Sequence, residues 1–144
     1  MFQKVTIVGN LGGDPDLRFL PSGDPVCNFN VATNRKWTGG DGQPVEETVW
    51  FRVTVWGKQA ESCNNYLSKG RQVLCEGRLT PDKETGGPRI WTDNEGNARA
   101  GFDLRAFEVK FLGGRQDGDP SSSSPTAATS APAASPVIED EIPF

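Results

Sequence analysis

Residues 46–57 read EETVWFRVTVWG, and this stretch decides how the chain folds. Side chains alternate between the two faces of a β-strand, so the letters separate into two sets. One set is entirely apolar and suits a buried surface: Val49, Phe51, Val53 and Val55. The other set consists of Trp50, Arg52, Thr54 and Trp56. The stretch therefore predicts a strand with a core on one side and two tryptophans around an arginine on the other.

The segments around this strand predict further strands and one helix. Strands are expected at residues 2–11, 26–37, 71–79 and 101–112. A helix is expected over residues 58–69, because Ala60, Cys63 and Leu67 recur at helical spacing and Gly70 suits the position after its end. Residues 81–97 predict a long polar hairpin with two turns rich in Gly and Asn. The order is then three strands, one helix and two strands.

This order is the plan of an OB-fold, a five-stranded Greek-key barrel with one short helix. Another small all-β barrel with one helix is the alternative that the pattern leaves open. Residues 1–115 form the predicted domain. Residues 116–137 predict a disordered Ser/Pro/Ala-rich linker, because that composition buries too little apolar surface to fold. Residues 138–144 combine acids with an apolar end.

The charge is divided unevenly along the chain. Residues 1–115 carry all 15 Lys and Arg and 14 of the 19 acidic residues, a net charge of +1, whereas residues 116–144 carry five acids and no base. The acidic balance therefore belongs to the tail, and it does not exclude a nucleic-acid surface on the predicted domain.

Several classes of protein are disfavoured by what the chain lacks. It has no His, no CxxC pair and no phosphate-binding Walker loop, so we expect no metal, no cofactor and no enzymatic activity. Its three cysteines, Cys27, Cys63 and Cys75, are expected to be reduced and buried, as in a cytosolic compartment. No apolar segment approaches the roughly 18 residues that a membrane helix needs.

Aromatic and basic side chains recur together, which is typical of a groove that binds single-stranded nucleic acid. Cations follow the phosphates, while exposed rings stack on bases whatever their identity. The alternative is that the rings are packed beneath a loop, the helix or a partner subunit. The candidate rings are Trp37, Trp50, Trp56 and Trp91, with Phe19 as a weaker candidate. The candidate cations are Arg35, Lys36, Arg52, Lys58, Arg78 and Arg89.

The chain resembles the bacterial single-stranded DNA-binding protein (SSB) family in several motifs that occur in order. They cover residues 1–116 almost continuously, together with the last six residues. The motifs are Val8-Gly9-Asn10-Leu11-Gly12, Val31-Ala32-Thr33, Trp50-Phe51-Arg52-Val53, Trp56-Gly57-Lys58-Gln59-Ala60-Glu61, Tyr66-Leu67-Ser68-Lys69-Gly70, Glu76-Gly77-Arg78-Leu79, Trp91-Thr92-Asp93 and the Ile142-Pro143-Phe144 terminus.

The resemblance implies an OB-fold that assembles as a homotetramer and binds single-stranded DNA in the bacterial cytoplasm. The family's stacking rings fall on the four tryptophans. Its terminal motif, which docks replication, recombination and repair proteins, falls on Asp140, Glu141, Ile142, Pro143 and Phe144. Three features depart from the family pattern: Trp56 in place of Phe, Phe51 in place of a polar residue, and Ala100-Gly101-Phe102 in place of a more polar stretch.

Three other functions compete with this interpretation. An enzyme is disfavoured because no nucleophile–base pair is evident. OB-folds also bind duplex DNA, RNA and oligosaccharides. The chain is alternatively a replication-associated interaction protein whose DNA affinity is incidental.

Overall fold

The computed structural model describes residues 1–113, which form seven strands and one helix. The strands are β1 Val5–Leu11, β2 Asp16–Phe19, β3 Pro25–Thr38, β4 Pro44–Trp56, β5 Gln72–Leu79, β6 Arg89–Thr92 and β7 Ala98–Leu112. The helix α1, Lys58–Tyr66, lies between β4 and β5.

Five of the strands close into a barrel. They are ordered β1-β5-β7-β4-β3, and β3 returns to β1 through the Asn10–Ala32 and Leu11–Val31 pairs. All the barrel pairings are antiparallel except β4–β7. This closed arrangement, with a helix after the third barrel strand, is the predicted OB-fold.

Two glycines permit the close contacts between barrel strands. A Cβ on Gly9 would collide with the backbone carbonyl of Ala32, and one on Gly77 would lie 2.8 Å from the Cα of Ala106. The β5–β7 register also shifts between Glu76 and Gly77. Missing side chains and a bulge let strongly curved strands approach one another at these points.

The core is small, apolar and free of buried charge. Its largest fully buried side chains include Val53, Val55 and Leu104. The three cysteines are also within it, each with no exposed surface and none in a disulfide, as predicted. Burial raises the pKa of Cys27 to about 11 and of Cys63 and Cys75 to about 12, because a thiolate would lose its hydration there.

The predicted element boundaries are wrong in three places. The helix ends at Tyr66 rather than at residue 69, because Leu67 adopts an extended conformation and turns its side chain into the core. Strand β7 begins at Ala98, three residues earlier than predicted. The sequence analysis also missed β2 and β6 as strands, since each has only four residues.

Candidate nucleic-acid interface

The outer face of β4 presents its two tryptophans to solvent. Trp50 is 52% exposed and Trp56 is 41% exposed, whereas Val53 and Val55 point into the core. The alternation predicted from the sequence is therefore confirmed, and neither ring is packed inside this chain's fold. Val49 and Phe51, expected on the core face, are only partly buried, because they lie nearer the open end of the barrel.

Strand β7 continues this outer face beside β4. Arg52 lies opposite Asp103 and Thr54 lies opposite Arg105. Directly opposed residues project from the same side of a sheet, so the odd-numbered residues of β7 share the face of the tryptophans. On the far side of β7, Arg78 of β5 lies opposite Arg105 and extends the face by one strand.

The β6–β7 hairpin adds a third tryptophan. Trp91 lies opposite Arg99 and is 44% exposed. The turn is fixed by Asp93, whose carboxylate accepts hydrogen bonds from the backbone N–H groups of Glu95 (3.0 Å) and Asn97 (2.9 Å). The Asn97 N–H, and then the Arg99 side chain, hold the pKa of Asp93 below its usual range, so the carboxylate stays charged. We call the combined surface the tryptophan face: Trp50, Arg52, Trp56, Arg78, Trp91, Arg99 and Arg105.

Arg89 is held against the hairpin rather than free in solution. Its Nε lies 3.0 Å from Oδ2 of Asp103, and both side chains are largely covered. Gly101 lies beneath it, since a Cβ there would come within 3.4 Å of Nη2 of Arg89 and 3.8 Å of Nε1 of Trp91. The Ala100-Gly101-Phe102 departure therefore makes room for the side chains of β6.

A cleft of about 730 Å³ separates the two ends of this surface. Its walls include Trp50, Arg52, Trp91, Arg99 and Phe102. The rings of Phe51 and Phe102 pack together at its base with centroids 5.7 Å apart. The structure thus brings two of the predicted rings and the predicted Arg52 to one concave site.

Gly12 determines where the Trp50 ring lies. A Cβ at residue 12 would lie 2.7 Å from Cη2 of Trp50, closer than real contacts allow. The backbone of Gly12 is fixed in turn by a hydrogen bond from its N–H to the carbonyl of Asn30, 3.0 Å away. The indole therefore lies against bare backbone, and a side chain at residue 12 would displace it.

Arg105 is a candidate site residue that the sequence analysis missed. Its guanidinium carbon lies over the Trp56 ring, 5.3 Å from the centroid, a distance typical of a cation–π contact. The signal was available in the sequence. Leu104 and Ala106 predict the buried side of the last strand, which puts Arg105 on the outer side.

The fourth tryptophan lies on the other side of the β3–β4 ribbon. Trp37 is opposite Val45 and shares the alternation of Phe29 and Val31, whereas Trp50 is opposite Ala32. It lies within β3 rather than in a loop, is 39% exposed, and carries Arg35 over its ring at 5.0 Å. The structure therefore does not bring Trp37 and Arg35 onto the tryptophan face.

The remaining predicted residues are dispersed. Lys36 pairs with Glu46 at 3.6 Å across the ribbon. Lys58 is the first residue of α1, and Phe19, 61% exposed, shares the inner side of β2 with Leu17. The predicted partner-docking residues lie outside the described residues: Asp140, Glu141, Ile142, Pro143 and Phe144.

Two further searches of residues 1–113 bear on other functions. No group of three or more potential ligands is arranged to hold a metal ion within this range. No helix in the same range has the length and apolar character needed to cross a bilayer.

Sequence comparison places these residues in a family. The model of the single-strand binding protein family matches residues 2–112. The chain belongs to the single-strand binding protein family. This membership agrees with the expectation of a binding protein rather than an enzyme, and with the resemblance found in the sequence.

Curated relatives carry the same description. Proteins named single-stranded DNA-binding protein from two Neisseria meningitidis strains are 42% identical over 115 residues, 80% of this chain. The match spans 62% of those relatives' length. Single-stranded DNA-binding protein 1 of Xylella fastidiosa is 40% identical over 116 residues, which are 80% of each chain.

Solved structures of the family superpose on the barrel. A Plasmodium falciparum SSB in complex with single-stranded DNA aligns with a TM-score of 0.63 and 26% identity, covering 78% of this chain and 97% of that one. A deletion mutant of the Thermus aquaticus single-stranded DNA-binding protein aligns with a TM-score of 0.59 and 32% identity, covering 78% and 51%.

Proposed function

We propose that the chain binds single-stranded DNA with little regard to sequence, by stacking bases on the tryptophan face and pairing phosphates with its arginines. The observation that carries the proposal is the exposure of Trp50, Trp56 and Trp91 on one surface with Arg52, Arg99 and Arg105 beside them. A base stacked on such a ring contributes about 1–3 kcal/mol whichever base it is. Family membership and the DNA-bound relative support the same ligand.

The test is a tryptophan-fluorescence titration with poly-dT. Stacking quenches indole emission, so we expect strong, saturable quenching and an affinity that falls as salt rises. Unlabelled single strands should displace a labelled oligonucleotide far better than duplex DNA or RNA does. Emission that ignores poly-dT would sink the proposal.

We further propose that the chain assembles as a homotetramer. Within residues 1–113, β1 pairs along one edge with β5, and its other edge pairs with β3 only at Asn10 and Leu11. The rest of that edge is open, and Val8 on its outer side is 46% exposed. An open strand edge beside apolar surface favours pairing with another copy. Light scattering of the full chain should give four times the monomer mass.

We assign partner docking to the C-terminal residues, on the basis of the sequence resemblance. A terminal Phe144 with its carboxylate, behind Asp140 and Glu141, suits an apolar pocket rimmed by basic side chains on a replication, recombination or repair protein. Deleting residues 139–144 should leave poly-dT binding intact and abolish that docking. The three reduced cysteines suit a bacterial cytoplasmic location on the nucleoid.

A further inference from the structure

Arg78 and Arg105 form an unusual pair at the β5 end of the tryptophan face. They are direct cross-strand partners in the antiparallel β5–β7 pairing, and both are exposed. Like charges placed directly opposite each other in a sheet repel and are destabilising. The free protein therefore carries a local excess of positive charge that its fold does not require.

The neighbouring acids do not neutralise this pair. Asp103, two residues before Arg105, is engaged by Arg89 at 3.0 Å, and Glu76, two residues before Arg78, is engaged by Lys4 at 2.6 Å. Among residues 1–113 neither Arg78 nor Arg105 forms an ion pair. An anion from outside these residues is the missing partner.

The position of Trp56 identifies which anion fits. Arg105 lies over one side of that ring, so a base can stack on the other side. The phosphate of a stacked nucleotide is tied to its base through the sugar and must lie nearby. The guanidinium fork matches phosphate oxygens, and two forks side by side can hold one phosphate.

We propose that Arg78 and Arg105 together clamp the backbone phosphodiester of the nucleotide whose base stacks on Trp56. The clamp rests on the proposed DNA binding and adds a defined phosphate site to it. Arg105 has two roles in this arrangement, since it covers one side of the ring and supplies half of the phosphate site.

The decisive experiment measures oligo-dT affinity by anisotropy at several NaCl concentrations for the full chain and its variants. The variants are Arg78→Gln, Arg105→Gln and their combination, with Lys83→Gln as a matched loss of one charge in the β5–β6 loop. Each lost phosphate contact lowers the slope of log affinity against log salt by about 0.7 for a single strand. We expect the double variant to lose about that much and the two single losses of affinity to combine non-additively, because they share one phosphate.

Two arms separate this clamp from a general loss of positive charge and from a site for a free anion. Arg78→Lys with Arg105→Lys should recover most of the salt slope but not all of the affinity, because Lys supplies charge without the fork. Titrating the DNA-free protein with inorganic phosphate at constant ionic strength should leave its emission unchanged. A saturable change that the double Gln variant abolishes would assign the site to a free anion instead and overturn the proposal.

The clamp and the wider function fail in different ways. If the double Gln variant keeps the wild-type affinity and salt slope while Trp56→Ala still weakens binding, the clamp is wrong and the stacking surface stands. If wild-type protein does not bind oligo-dT, the proposed function itself is wrong. As a check without DNA, the double Gln variant should melt at or above the wild-type temperature in low salt, since a repulsion is removed; a clear loss of stability would refute the repulsive pair.

Discussion

The two sides of β4 are built from the same thirteen residues and do opposite things. The inner side buries Val53 and Val55 against β7 and the helix, with almost no surface left to solvent. The outer side leaves Trp50 and Trp56, the largest side chains of the strand, roughly half exposed. Apolar burial stabilises folding, so rings left outside contribute little to it. Substitutions on the two sides should therefore appear in different measurements.

The largest effect is expected on the inner side. Leu104, directly opposite Val53 and 1% exposed, fills the centre of the barrel. Leu104→Ala should lower the free energy of unfolding by about 2–5 kcal/mol, measured by urea denaturation, because a cavity replaces well-packed methyl groups. The fraction that remains folded should bind oligo-dT with near wild-type affinity. A folded variant with much weaker binding would break the separation between the two sides.

The next effect belongs to the outer side. Trp56→Ala should weaken oligo-dT binding by about 1–3 kcal/mol, read by anisotropy, because a stacking ring is removed. The urea midpoint should change little. Trp56→Phe is the matched control and should keep most of the affinity, since it retains a ring. Equal losses of stability and affinity in Trp56→Ala would mean that the ring is part of the packing.

A pH effect should be confined to the inner side. The folded state keeps Cys63 protonated up to a pKa of about 12, whereas an unfolded thiol ionises near its ordinary value of 9.0. The stability from burying this thiol is therefore complete below pH 9 and is lost as pH rises from 9 towards 12. At pH 10 the loss is about 1 kcal/mol for one such thiol. Urea midpoints of Cys63→Ala should fall less between pH 9 and pH 10 than wild-type midpoints; parallel falls would contradict the assignment.

The smallest effect is expected at Trp37, which is on the other side of the β3–β4 ribbon. Trp37→Ala should weaken the binding of a short oligothymidine less than Trp56→Ala does. Its effect should grow with oligonucleotide length, because only a longer strand can pass round the ribbon. Equal effects at every length would show that the two rings serve one continuous surface.

Much of the fold follows from the sequence because its barrel strands are long and regular. The alternation in residues 46–57 predicted the inner and outer sides of β4, and the order of the elements predicted the barrel. Short elements carry too few residues for a pattern, so β2 and β6 were missed. The helix end was misplaced because tertiary burial of Leu67 outweighed the Gly70 signal.

The composition of the candidate site was only partly predictable. Proximity in sequence put Arg35 and Lys36 among its cations, but cross-strand register, which needs the fold, put Arg105 there instead. The same reasoning could not foresee that Asp103 holds Arg89 against the hairpin, or that Gly12 positions Trp50. Contacts between residues far apart in the chain decide these details.

The guanidinium over Trp56 limits how many nucleotides that ring can hold. With Arg105 occupying one flat side, the indole can accept a single base and cannot be inserted between two. Arg35 imposes the same limit on Trp37. A strand crossing this protein would then be counted out one nucleotide per capped ring, with the direction of approach fixed by which side each arginine leaves open.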